Sequence, residues 1–133
     1  MIKYPIPKHV LVALPRLRRW ATSLRTLYPY PIWLVGSALS GRNPNPRDWD
    51  IRIVVSDEDF RKRFGEPHEW EIEGVTGLWT NVRWLWADEC VKRTMDGWYR
   101  CHLNIDFQVY PRTHAKMLYP PSARRIRLDR RRR

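Results

Sequence analysis

The stretch WLVGSALSGRNPNPRDWDIRIVV, Trp33 to Val55, decides how this chain is read. The apolar run Ile32–Val35 breaks at Gly36-Ser37, and a loop rich in Gly, Asn and Pro, which excludes regular structure, follows it. From Trp49 to Val55 the β-branched residues of a strand resume. Side chains two apart in a strand share a face, so Asp48 and Asp50 converge at one edge of the sheet while Trp49 turns to the core. Two carboxylates held about 6–7 Å apart repel each other unless something positive stands between them. A divalent cation is one solution; Arg47, Arg52 or another arginine is the plainer one. Gly36 allows close backbone approach and Ser37 adds a hydroxyl, so this turn can present donors to phosphate oxygens.

Working outward, Lys8 to Leu27 spaces Val10, Leu11, Leu14, Leu17, Leu24 and Leu27 at helical intervals, with Arg16, Arg18, Arg19 and Arg25 between them. Pro15 implies either a kink or a helix that begins there, and the YPYP of Tyr28–Pro31 ends it. Downstream, Ser56 caps a helix over Asp57–Phe64, whose first turn is acidic, and Gly65 closes it. Glu69–Trp86 alternates around EGVTG and TNVR as two or three hairpin strands, and Asp88–Trp98 reads as a helix. Leu103–Tyr110, LNIDFQVY, alternates as a strand that Pro111 stops. This order predicts one small α/β or α+β domain, a mixed sheet packed by helices.

Composition narrows the function classes. The 133 residues, 43% hydrophobic, suffice for one compact core, and a net charge of +11 favours a polyanionic partner. Arg124, Arg125, Arg127 and Arg130–Arg133 concentrate much of that charge after a domain spanning 1–121. Residues 122–133 therefore read as an Arg-rich tail, either solvated and mobile or ordered on phosphate or a partner surface, with steep salt dependence. The two cysteines, Cys90 and Cys101, make no disulfide framework, and with His102 and His114 they match no zinc spacing. No run reaches the ~18 apolar residues of a membrane span, and no signal peptide is evident, so a cytoplasmic protein without a membrane role is expected. Of eight tryptophans, Trp79, Trp84, Trp86 and Trp98 lie among basic residues where they could stack bases, although core packing is the commoner use of the residue.

Leu34-Val35-Gly36-Ser37, ten intervening residues, then Asp48-Trp49-Asp50-Ile51 resembles the signature of the nucleotidyltransferase superfamily that includes polymerase beta and the minimal nucleotidyltransferases. That family places a third carboxylate between apolar residues on a later strand, and Ile105-Asp106-Phe107 offers it. The resemblance implies a nucleotidyltransferase-like fold and a Mg²⁺-dependent transfer, with two ions and Mn²⁺ as a substitute. Gly36 and Ser37 would hold the triphosphate and Arg42 is the candidate further phosphate contact. Asp48, Asp50 and Asp106 would be the metal ligands and catalytic acids. Many minimal members place an arginine before the glycine that follows the Gly-Ser pair, whereas here Arg42 comes after Gly41. The implied reaction moves a nucleoside monophosphate from a nucleoside triphosphate to a hydroxyl of a nucleic acid such as tRNA, or of a protein. The alternative is a non-catalytic module of the same fold that binds nucleic acid or an acidic partner protein, as an antitoxin does.

Overall fold

Pro7 and Ser56 each start a helix, and what lies between and after them forms the sheet. The structure is a computed structural model that describes residues 6–40, 46–73, 75–80, 92–99, 101–117 and 124–129. The first helix, α1, spans Lys8–Leu24; the Pro7 carbonyl accepts from the Val10 and Leu11 amides at 3.0 and 3.1 Å. Pro15 therefore does not begin the helix but lies within it, on the exposed side. The helix also ends earlier than the leucine spacing predicts, and its buried stripe is Val10, Ala13, Leu14, Leu17, Trp20, Ala21 and Leu24. Leu11, about 100° round the axis from Val10, is 53% exposed, and Leu27 falls beyond the helix.

Strands β1 (Ile32–Val35) and β2 (Trp49–Val55) lie where the sequence pattern anticipates them, and β1 leads into a 3₁₀ turn over Ser37–Ser40. Helix α2 (Asp57–Phe64) is capped by Ser56, whose Oγ accepts from the Asp59 amide at 3.2 Å, and ends at Gly65 with φ 84°. Strands β3 (Pro67–Ile72) and β4 (Val75–Thr80) form a separate antiparallel hairpin. Residues 92–99 form helix α3, and β5 spans Ile105–Pro111. His102, at φ 55°, turns the chain out of its helix, so β5 begins two residues later than expected. It also includes Pro111, opposite Val55. Among the described strands β5 is an edge, and an edge has room for a residue without an amide proton. The Phe107 amide donates to Thr94 Oγ1 of α3 at 3.3 Å.

The main sheet has four strands in the order β5-β2-β1-β6, with β6 at Ile126–Arg127. β1 runs antiparallel to β2 and β6, while β2 and β5 are parallel, so the chain makes a small α+β domain with a mixed sheet. One face of the sheet carries Ile32, Leu34, Ile51, Ile53, Ile105, Phe107 and Val109, all fully buried. Trp20 and Tyr28 meet Phe107 with ring centroids 5.9 Å apart, and Phe60 and Phe64 extend the core from α2. Among the described residues no helix is long and apolar enough to cross a membrane.

Residues 124–129 belong to the sheet, where the sequence reads 122–133 as an Arg-rich tail that is mobile or ordered on phosphate or a partner surface. Leu128 is buried and its amide donates to the Ile32 carbonyl at 2.8 Å. The Asp129 carboxylate, 1% exposed, accepts from the Ile32 amide at 3.0 Å and from Arg127 Nε at 2.9 Å, and pairs with Arg25 Nε at 3.1 Å. Arg124 donates to the Leu39 carbonyl at 3.1 Å, and the Arg125 guanidinium lies 4.5 Å over the Trp33 ring. The arginines suggested a solvated run, but alternating Ile126 and Leu128, with one internal acid, dock them as a strand. Residues 130–133 lie outside the described residues.

Burial alone would raise the Asp129 pKa, but hydrogen bonds from Arg127 and the Ile32 amide outweigh it and hold the carboxyl below its ordinary value. Such a group stabilises the fold above the unfolded carboxyl pKa of about 3.9 and loses that contribution as pH falls through its depressed folded value. Asp129→Ala should lower stability by about 2 kcal/mol at pH 7 in urea denaturation, because it takes the acceptor from the Ile32 amide and from two partly exposed arginines. The deficit should shrink as the medium is acidified. Deleting residues 124–133 should abolish the cooperative transition, an effect that removal of a free tail would not have.

Candidate functional site

Residues paired across a sheet share a face, so the face opposite the core can be read from the register. Asp106 of β5 pairs with Asp50 of β2, which pairs with Val35 of β1; Gln108 pairs with Arg52, which pairs with Trp33, and Trp33 pairs with Arg127. Asp50 and Asp106, far apart in the chain, thus stand directly opposite each other on one face of a parallel pair. Asp48 lies just before β2, exposed, and Asn104 Nδ2 donates to its Oδ1 at 2.7 Å and to the Arg47 carbonyl at 3.1 Å.

Gly36 follows directly on the strand partner of Asp50 and closes over it. A Cβ at Gly36 would overlap Asp50 Oδ2 and lie 3.1 Å from its Cγ, and the backbone there has φ 83°. Both facts require glycine, since other residues strain at that angle and would displace the carboxylate. The 3₁₀ turn that follows is fastened by distant parts of the chain. His9 Nε2 of α1 lies at hydrogen-bond distance, 2.7 Å, from the Ala38 carbonyl oxygen, and Arg124 holds the next carbonyl, Leu39. The Leu39 amide closes back on the Gly36 carbonyl at 3.2 Å. Ser37 is exposed at the start of this turn.

Arg52 lies between the two opposed acids. Its Nη1 donates to the Asp106 carbonyl at 2.5 Å and to the Ile51 carbonyl at 3.1 Å. Its Nη2 is 3.4 Å from Asp106 Oδ2 and 3.7 Å from Asp50 Oδ1. Burial raises the Asp50 pKa; the Arg52 charge opposes that, but the charges of Asp106 and Asp48 add to it. Three carboxylates thus act on one another with a single guanidinium among them, which leaves an excess of negative charge.

Among the described residues no three His, Cys, Asp or Glu side chains gather into a cation cage, because Asp48 is drawn outward to Asn104. Asp50 and Asp106 nevertheless fit a hard divalent ion in donor type, in mutual placement and in unneutralised charge. Arg42 lies outside the described residues, as do Cys90, Trp84 and Trp86. Trp49 packs in the core, 6.0 Å from the His9 ring, while Trp98 is 54% exposed. The sequence weighed Arg52 only as a possible counter-ion, although its spacing of two from Asp50 already put it on the acidic face. No local signal marks His9, Asn104 or Arg124.

Compared with protein-family models, curated proteins and solved structures, the chain matches none of them.

Because the Asp50 pKa is raised, its ionisation opposes folding: the fold gains from the neutral acid below about pH 3.9 and loses that gain as pH rises through the folded value. Asp50→Asn should therefore raise the melting temperature of the cation-free protein at pH 7. Scanning calorimetry at falling pH should show the advantage disappearing.

Proposed function

We propose that this chain is a divalent-metal-dependent nucleotidyltransferase, which moves a nucleoside monophosphate from a nucleoside triphosphate to a hydroxyl acceptor and releases pyrophosphate. The observation that carries the reading is the placement of Asp106 opposite Asp50 with Gly36 closed onto the Asp50 carboxylate. Three segments that the resemblance requires for one reaction thus meet on one sheet face.

Asp50 and Asp106 supply hard oxygen donors on the strands, and Asp48 supplies a third from the mouth of β2 once it leaves Asn104. When bound, Mg²⁺ or Mn²⁺ neutralises the phosphates and the attacking and leaving oxygens. Gly36 and Ser37 offer an amide and a hydroxyl to a phosphate at the same edge, beside the Asp50 carboxylate over which Gly36 closes. Asp106, on the edge strand, would accept the proton of an acceptor hydroxyl. The surplus of +11 favours a nucleic acid as acceptor, tRNA being one candidate and a protein hydroxyl another.

Arg52, buried between the acids, favours a second reading. A guanidinium shared between the two acids suits a non-catalytic module of this fold that binds nucleic acid or an acidic protein, as an antitoxin component would.

Incubation with each labelled nucleoside triphosphate, Mg²⁺ and total RNA, DNA or cell lysate separates the two. The transferase reading expects label on one acceptor class, and a loss of roughly a hundredfold or more for Asp48→Asn and for Asp106→Asn with the fold retained. No transfer to any acceptor, together with no thermal shift on adding Mg²⁺ and triphosphate, would give the binding module the better claim.

A further inference from the structure

Arg52 is buried beside the two opposed acids, at 9% exposure. Its bonds divide into two kinds. Nη1 is held to main-chain oxygens of both strands, Ile51 and Asp106, whereas Nη2 donates to Asp106 Oδ2 at 3.4 Å and pairs with Asp50 Oδ1 at 3.7 Å. The shorter bonds are those to the backbone, so the guanidinium keeps its place when the carboxylates turn to another partner. A guanidinium stays charged at any pH the fold tolerates.

A cation arriving between Asp50 and Asp106 must share them with a positive charge that cannot withdraw along its own tether. At separations of a few ångströms in a half-buried site that repulsion is large. A ligand that brings several negative oxygens reverses the balance, because it can face the cation and the guanidinium together.

We infer that Arg52 is a positioning residue that makes cation binding at Asp50 and Asp106 conditional on a polyanionic ligand, so that the divalent ion enters with the triphosphate and not before it. The inference rests on the transferase reading of the site. A merely structural Arg52 would support the sheet face without affecting cation affinity.

Calorimetric titration with Mn²⁺ alone, and with Mn²⁺ plus a non-hydrolysable nucleoside triphosphate, tests this on the wild-type chain, Arg52→Gln and Arg52→Lys. Arg52→Gln should bind Mn²⁺ alone roughly tenfold or more tighter than wild type. That gain should vanish when the triphosphate is present. Arg52→Lys, which restores the charge, should stay near wild type.

Equal or weaker Mn²⁺ affinity in Arg52→Gln overturns the role of Arg52 while leaving the metal site standing, as does Arg52→Lys behaving like Arg52→Gln. Failure of every protein to bind Mn²⁺ with or without triphosphate overturns the transferase reading and the inference with it. Should Arg52→Gln fold only when Mn²⁺ is added, that supports the inference. The wild type decides independently of the variant's folding: Mn²⁺ bound as tightly alone as with the triphosphate overturns it.

Discussion

The parallel pairing of β2 with β5 is the constraint on which the rest depends. Its register fixes which residues face the core and, by the two-residue period of a strand, which face the other side. A slip of one residue by either strand would carry its apolar residues, Ile51 and Ile53 or Phe107 and Val109, out of the core and turn its aspartate into it. Aliphatic burial on one face thus holds two like charges opposite each other on the other, where neither would settle unaided. Arg52 relieves that conflict in part, while burial, with the charges of Asp106 and Asp48 added, holds the Asp50 carboxyl above its ordinary value.

The parts that rest on local chemistry were legible in the sequence. β1, β2 and α2 follow from apolar runs, β-branched residues, a serine cap and a closing glycine, all of which act within a few residues. The stripe of α1 departs from the leucine spacing: Ala13 and Ala21 are buried, whereas Leu11 is not. Position 111 shows a different limit: whether a proline ends a strand depends on whether that strand lies at an edge, which no local pattern reveals.

The site divides in the same way. The spacing of Gly36, Asp48, Asp50 and Asp106 was visible, because period two and apolar flanks are local properties. The supports were not. His9 and Arg124 reach the turn after Gly36 from opposite ends of the chain, and Asn104 takes hold of Asp48 across the sheet. Most misleading was the arginine-rich segment, where composition argued for solvation. Asp129, a single acid with a buried carboxylate, converts part of that run into sheet.

The place of β6 beside β1 bears on how the chain reaches its native state. β1 lies between β2, which follows after a short loop, and β6, which follows only after almost all the other elements. The first pairing closes a small loop and the second a very large one, so contact order is high on that side and folding should be slow there. Until β6 arrives, the Ile32 amide and carbonyl present an open strand edge flanked by apolar residues, the kind of surface on which chains pair with one another. The arginines that flank Ile126 and Leu128 add like charge to every copy, so mutual repulsion keeps unfinished chains apart while that edge is still uncovered.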